Sequence, residues 1–316
     1  MNNFAKLFQE VVCAMGKFES GKVHLFVFGG GSFNFRRASR RLAIQGRRVK
    51  LFSSVTSFTD HDLKVFIPES GKHDIEFIRS NKRGFGYWLW KPYLVNYALR
   101  KIPANDIIVY LDSGTELNLS SRPAITRWNE YLNFVDKYNS LAFQLESRAN
   151  LVDKPREIQY SKKYLIDFMS PSNLSLMSNQ ISASAFLLKN TQSNIQFIEE
   201  WIYIATLDNY KYLTDCLADE ENESFIEHRH DQSIFSLLYK KREMFYIPDE
   251  TDVANSTSLE SDLPIWMARN RSGISRGPIK TDDRLDKLFN FFKARFLQVW
   301  QYIMLRLARL SDKYFS

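Results

Sequence analysis

The chain has little cysteine, with Cys13 and Cys216 the only two in 316 residues. A disulfide framework is therefore improbable, and a reducing compartment is the natural setting. Long apolar runs are also missing. No stretch reaches the roughly 18 uninterrupted apolar residues of a spanning helix, and the apolar residues between Met1 and Lys22 are too broken for a secretory leader. There is no internal repeat, no low-complexity tract and no recognised nucleic-acid motif to accompany the net charge of +7. A soluble or peripheral cytoplasmic protein is expected, with no nucleic acid as partner. Its positive charge suits a ligand or surface that carries phosphate.

At 44% hydrophobic residues the chain can bury a substantial core. Apolar runs alternate with helical patterns. A strand is expected over Val23 to Phe28, stopped by Gly29, Gly30, Gly31 and Ser32, then a helix over Phe35 to Ile44 and a second strand over Val49 to Phe52. Phe28 and Gly29 are candidate nucleotide contacts, because glycine lets a ligand approach the backbone. Gly29 to Gly31 has neither the spaced dinucleotide fingerprint nor a P-loop lysine, so an ordinary loop is the alternative. Further strands are expected at Ile75 to Ile78, Ile107 to Leu111, Leu141 to Leu145 and Ala185 to Leu188, and helices at Trp90 to Leu99, Ile195 to Ala205 and Asp231 to Lys240. Pro248 to Pro264 has the composition of a long loop. The alternation gives an α/β fold with a mixed, mostly parallel sheet flanked by helices.

Three stretches carry the candidate chemistry. "DIIVYLDSG" ends an apolar strand on Asp112, where open α/β sheets gather ligands. "RGFGYWLWKPYLV", Arg83 to Val95, concentrates aromatic rings with Arg83, Trp90 and Lys91, a set suited to stacking on a base or sugar and meeting phosphate. Core packing of Trp88 and Trp90 is the rival explanation. "EHRHDQSIFSLL" offers His228, His230 and Asp231 as metal ligands, although Asp231 at a helix start is also a natural N-cap worth about 1 kcal/mol.

The remaining segments are basic. In "ARNRSGISRG", Arg269 and Arg271 are candidates for a loop that closes on an anion, with a plain basic linker as the alternative. The terminal residues 281–316 form a separate unit after a domain spanning 1–280. From Leu285 the residues Leu288, Phe289, Phe292, Phe296, Trp300, Ile303, Leu307 and Leu310 make one helical stripe within 285–310, with Arg284, Lys287, Lys293, Arg295, Arg306 and Arg309 supplying cations. Such a basic amphipathic helix suits an anionic membrane surface, or packs on the domain or on a second copy.

Taken in order, these segments resemble bacterial surface-polysaccharide glycosyltransferases of the GT-A, nucleotide-diphospho-sugar transferase type, and distantly glycosyltransferase family 8, over residues 22–275. The resemblance implies a GT-A-like fold, a nucleotide-sugar donor and a glycan or lipid-linked acceptor at the inner face of the cytoplasmic membrane. It places Asp112 as the first acid of a D-x-D motif, Gln180 to Ala183 as the strand facing the sugar, with Ser182 in it, and Asp231 and Gln232 as the paired residues of the late helix. Glu157, Tyr160, Ser161 and Lys162 resemble a segment of the same proteins, where a solvated helix face is the bland alternative. Asp112 and Asp231 are thereby the catalytic candidates. The motif's second acid is replaced by Gly114, so a manganese or magnesium ion at Asp112 would need another ligand, with Glu116 or Asp231 the candidates; the alternative is that Asp112 binds ribose or sugar hydroxyls while Arg and Lys neutralise the diphosphate. The rival readings are a metal-dependent hydrolase built on His228, His230, Asp231 and Asp112, and a non-catalytic peripheral membrane module.

Overall fold

Val23–Gly29 forms β1, a strand buried along its whole length, in the computed structural model, which describes residues 21–146, 155–215, 221–252 and 262–279. Its side chains alternate between two apolar clusters, Leu25 and Val27 in one and Phe26 and Phe28 in the other. Both faces must therefore be covered by other elements. The helix α1, Phe33–Val49, follows at once, with the Ser32 hydroxyl accepting from the Phe35 amide at its N-terminus. It packs Leu42 and Val49 on the Leu25 face.

The second strand is β2, Ser54–Thr59, not Val49 to Phe52. Val49 ends α1, and Lys50 takes a left-handed φ of 55° that closes the helix. β2 is an edge strand in which Ser and Thr separate Val55 from Phe58, mostly half-exposed, which is why no apolar run marks it. Ile75 to Ile78 is likewise not a strand. It lies in α2, Lys72–Ser80, where Ile75 and Ile78 share one buried face at helical spacing. Then come α3, Trp90–Lys101, with Pro92 in its first turn, and β3, Ile107–Leu111, wholly buried.

The short β4, Glu116–Leu117, pairs with the late β8, Ile265–Trp266. Between them run α4, Arg122–Tyr138; β5, Ser140–Gln144; β6, Ile181–Lys189; α5, Gln192–Tyr210; α6, Asp231–Lys241; and β7, Tyr246–Pro248. The main sheet has the order β2-β1-β3-β6-β5-β7. β6 runs antiparallel to β3 and β5, while the pairings β1–β2, β1–β3 and β5–β7 are parallel. α3, α5 and α6 cover one face, and α1 and α4 the other. This is the expected α/β class, a mixed, mostly parallel sheet flanked by helices. The expected C-terminal amphipathic helix lies outside the described residues. Among those residues, no helix is long and apolar enough to cross a membrane.

Candidate functional site

The carboxylate that ends β3 is held at the sheet edge. The Asp112 amide donates to the Ser184 carbonyl of β6 at 2.8 Å, and the Tyr110 hydroxyl donates to Asp112 Oδ1 at 2.6 Å. Lys91, from the first turn of α3, lies between this acid and a second one. Its ammonium is 3.5 Å from Asp112 Oδ1 and 2.7 Å from Asp231 Oδ2, and it donates to the Ala183 carbonyl at 3.2 Å. The Lys91 side chain is 3% exposed and that of Asp231 6%, whereas Asp112 keeps 29% of its surface open. Three segments distant in sequence thus meet at the C-terminal ends of β1 and β3, where the fold opens towards ligands.

The electrostatics follow from this burial. Burial pushes the Asp231 carboxyl up from 3.8 to about 6, against the pull of the Lys91 ammonium, and the nearby Asp112 charge adds to the rise. Burial works to lower Lys91, but Asp112 and Asp231 outweigh it, and the ammonium stays protonated with its pKa raised. Burial also raises Tyr110, with Asp112 reinforcing the effect, so its hydroxyl remains a donor. The arrangement presents a partly open acid at the crevice beside a second, buried one with an elevated pKa.

The segment before α3 has an unusual backbone. Gly84, Phe85, Gly86, Tyr87 and Trp88 all take positive φ, between 49° and 82°, which makes one turn of left-handed helix. Trp88 and Tyr87 face the His230 ring, with centroids 5.9 and 4.9 Å away. Arg83 pairs with Asp215 at 2.9 Å, Tyr87 donates to the same carboxylate at 2.9 Å, and His230 Nε2 lies 3.7 Å from it. Arg83 is thereby tied to the residue preceding Asp231. Trp90 stacks on Phe28 at 4.0 Å and donates to the Gly84 carbonyl at 3.3 Å. Both rings lie in the core directly beneath the Lys91 turn. Gly29 is closed over by α1, since an added Cβ would meet the Phe35 carbonyl and Ser39.

The late helix is braced from below. Gln232 donates to Gln180 Oε1 at 2.9 Å and accepts from the Ala183 amide at 3.5 Å, and Ser182 accepts from the Ser184 amide at 3.2 Å. Gln180 donates in turn to Glu157 Oε2 at 3.2 Å. Glu157 is no solvated helix residue. It is fully buried, paired with Lys240 at 2.6 Å and bonded by Ser161 at 3.1 Å. Lys162 is buried too and donates to the Thr214 carbonyl at 2.7 Å.

The basic loop 268–277 packs on the turn that follows Asp112. Asn270 donates its amide to the Gly114 carbonyl at 2.9 Å, and an added Cβ at Gly114 would lie 3.4 Å from the Arg269 Cα. Two buried groups lock the loop. Arg41 donates to the carbonyls of Asn270 and Ser272 at 2.7 and 3.1 Å and to those of Ser113 and Thr115 at 2.9 and 2.7 Å. Burial lowers its pKa from 12.5 to about 10, so it keeps its charge. Glu116 accepts from the Asn270 side chain at 2.5 Å and from the Gly277 amide at 2.7 Å. Burial would raise Glu116, but these bonds and Arg41 outweigh it and hold it below the usual range. Arg269, at φ 46°, is exposed above Gly114, and Arg271 lies 5.2 Å over the Phe35 ring.

A divalent cation finds a poor donor set here. Asp112 already faces an ammonium and a hydroxyl, Gly114 offers no carboxylate, and Glu116 is spent on the loop. His228 hydrogen-bonds the Tyr212 carbonyl at 3.0 Å and the Lys162 amide at 3.3 Å, and His230 the Leu213 carbonyl at 2.8 Å. Burial holds both imidazoles neutral, His228 well below 6.5 and His230 at about 4. Among the described residues no group of three His, Cys, Asp or Glu is placed to hold a metal. The hydrolase reading therefore lacks its expected ligand set, because the two histidines anchor the 210–215 segment to the start of α6.

No family model matches the chain, and no curated protein matches it in sequence. Among solved structures the chain is similar to mouse xyloside xylosyltransferase 1 in its apo form, at 11% identity over 78% of this chain and 97% of that one, with a TM-score of 0.40. A glycosyltransferase involved in glycosylation of the major capsid of PBCV-1 is similar at 10% identity over 65% and 80%, with a TM-score of 0.31. Mannose-6-phosphate isomerase from Helicobacter pylori follows at 10% over 63% and 84%, with 0.28. Likenesses this distant assign neither family nor activity.

No local pattern in the sequence marks Arg41 or Asp215 as parts of the site. Arg41 is one of six arginines between Arg36 and Arg48, and nothing local separates the buried one from the exposed. The left-handed turn did leave a trace, since Gly84 and Gly86 flank Phe85 where positive φ is needed.

Proposed function

We propose that the chain is a glycosyltransferase that moves a sugar from a nucleotide diphosphate donor to a glycan or lipid-linked acceptor in surface-polysaccharide synthesis. One observation carries the reading. At the C-terminal edge of the sheet a buried ammonium joins a partly open strand-end acid to a buried acid whose pKa is about 6. Sugar transfer needs both kinds of group: one to orient hydroxyls or phosphate at the crevice, the other to take a proton near neutral pH. The resemblance of the ordered motifs to glycosyltransferases supports the same choice.

In this reading Asp231 is the base. As the acceptor oxygen bonds to the anomeric carbon, its proton passes to an Asp231 carboxylate oxygen, and the bond from that carbon to the donor's phosphate oxygen breaks. The diphosphate leaves with the electron pair. Cations must meet it, and Arg269 and Arg271 stand on the loop over the Asp112 turn. Lys91 holds the two acids in register, and Asp112 accepts from sugar or ribose hydroxyls. Arg83, Trp90, Phe28, Gly29, Ser182 and Gln232 shape the walls and floor. Residues 1–280 form the catalytic domain. The helix expected within 281–316 lies on the anionic inner face of the cytoplasmic membrane, because its sequence pairs an aromatic stripe with Lys and Arg.

The test is calorimetric titration of the full chain with UDP, GDP, ADP and CDP and their sugars. One base should bind saturably, and Asp112→Ala should weaken that binding about tenfold or more. No binding of any of these nucleotides would sink the transferase reading.

A further inference from the structure

The two acids at the sheet edge are spaced by an ammonium, and that has a consequence for how a diphosphate is held. A carboxylate pair that collects a divalent cation must turn oxygens towards one vacant point. Here Lys91 Nζ stands at that point, 2.7 Å from Asp231 and 3.5 Å from Asp112, fixed further by the Ala183 carbonyl at 3.2 Å. Its side chain is 3% exposed and is sealed below by Trp90 on Phe28. A second cation beside this ammonium would be repelled, and Gly114 and Glu116 supply no free carboxylate to compensate.

A cation of another kind is at hand. Arg269 is exposed and has no ion-pair partner among the described residues. Its backbone rests on Gly114, and the next residue, Asn270, is held by Arg41 and Glu116, so the guanidinium springs from a fixed base near the Asp112 turn. A planar fork of donors on a rigid loop suits phosphate oxygens.

We propose, resting on the transferase reading, that the donor's diphosphate is bound without a divalent cation. Lys91 occupies the position a metal would take between Asp112 and Asp231, and Arg269 meets the phosphates.

The experiment uses the full chain and two readouts. Calorimetric titration with UDP, GDP, ADP and CDP is run in EDTA and again in manganese, and manganese alone is titrated by electron paramagnetic resonance. The expected result is one nucleoside diphosphate binding in EDTA within about threefold of its affinity in manganese, with Arg269→Ala weakening it about tenfold or more and Arg269→Lys recovering part of the loss. Free manganese should keep its signal in the presence of the wild-type protein. Lys91→Ala frees two carboxylates and should lower that signal. Since Lys91 is buried, its variant is read only if it unfolds cooperatively, and the exposed Arg269 pair tests the inference regardless. Binding that appears only with manganese, or an Arg269→Ala protein that binds like wild type, would overturn the inference and leave the transferase reading standing. Failure of all four nucleotides in both buffers would instead remove the reading on which it rests.

Discussion

At the scale of single residues the function turns on Asp231. Its carboxyl has a pKa of about 6 because burial outweighs the ammonium 2.7 Å away. A base of that pKa is mostly ionised at pH 7 and accepts a proton without a large penalty. The expected pH profile of kcat/KM therefore rises through about 6 and then levels. Asp231→Asn keeps the shape, removes the base and should lower kcat/KM roughly 10²- to 10⁴-fold with the rise lost. A variant that kept the rise would place the base elsewhere. Asp112 was visible in the sequence because an acid ending a fully apolar strand is a local pattern. The partnership of Lys91 with Asp231 was not, since only the folded sheet brings α3 and α6 to one edge.

Among the elements, those with unbroken apolar runs or strong helical spacing were readable, as with β3, α3 and α6. Two short runs misled. The period of Val49 to Phe52 and of Ile75 to Ile78 is undefined over four residues; the first straddles the end of α1 and the second lies inside a nine-residue helix. The left-handed turn at 84–88 is the element most exposed to mutation. Phe85, Tyr87 and Trp88 each pay about 1–2 kcal/mol for that backbone, and it persists because packing of Trp88 and Tyr87 on His230 repays it. Gly86 has φ 82°, and an added Cβ would lie 2.4 Å from the Ile78 Cα. Gly86→Ala should cost about 2 kcal/mol or more in urea unfolding and misplace Lys91 as well. The loop 268–277 has its own determinant. Arg41→Met strands four carbonyls that now share one guanidinium, and a loss of about 3 kcal/mol or more is expected, with the loop becoming the first site of proteolysis. A variant as stable and as resistant as wild type would show that the loop holds without the clamp.

For the whole molecule, acid sensitivity sums groups whose signs differ. An unfolded histidine binds a proton below about 6.5, whereas His230 in the fold resists until about 4, so stability falls as pH drops between those values. Asp231 works in the opposite direction. Its folded carboxyl is protonated below about 6 and its unfolded one only below 3.8, so acidification across that window favours the fold. Each contribution is about 3 kcal/mol when complete, and the two nearly offset. His228, depressed well below 6.5 by burial, adds to the loss on acidification, and Asp249, raised by burial, opposes it. The protein should therefore melt at lower temperature at pH 5 than at pH 7. Asp231→Asn removes an opposing group, so its melting temperature should fall more steeply over the same interval, by the equivalent of about 1 kcal/mol at pH 5. Calorimetric scans of both proteins at the two pH values check this. Parallel slopes would mean that Asp231 does not bind its proton in the folded state before the unfolded one does. The base at the sheet edge would then be fully ionised well below pH 6, and the rise expected in the rate profile would have to come from another group.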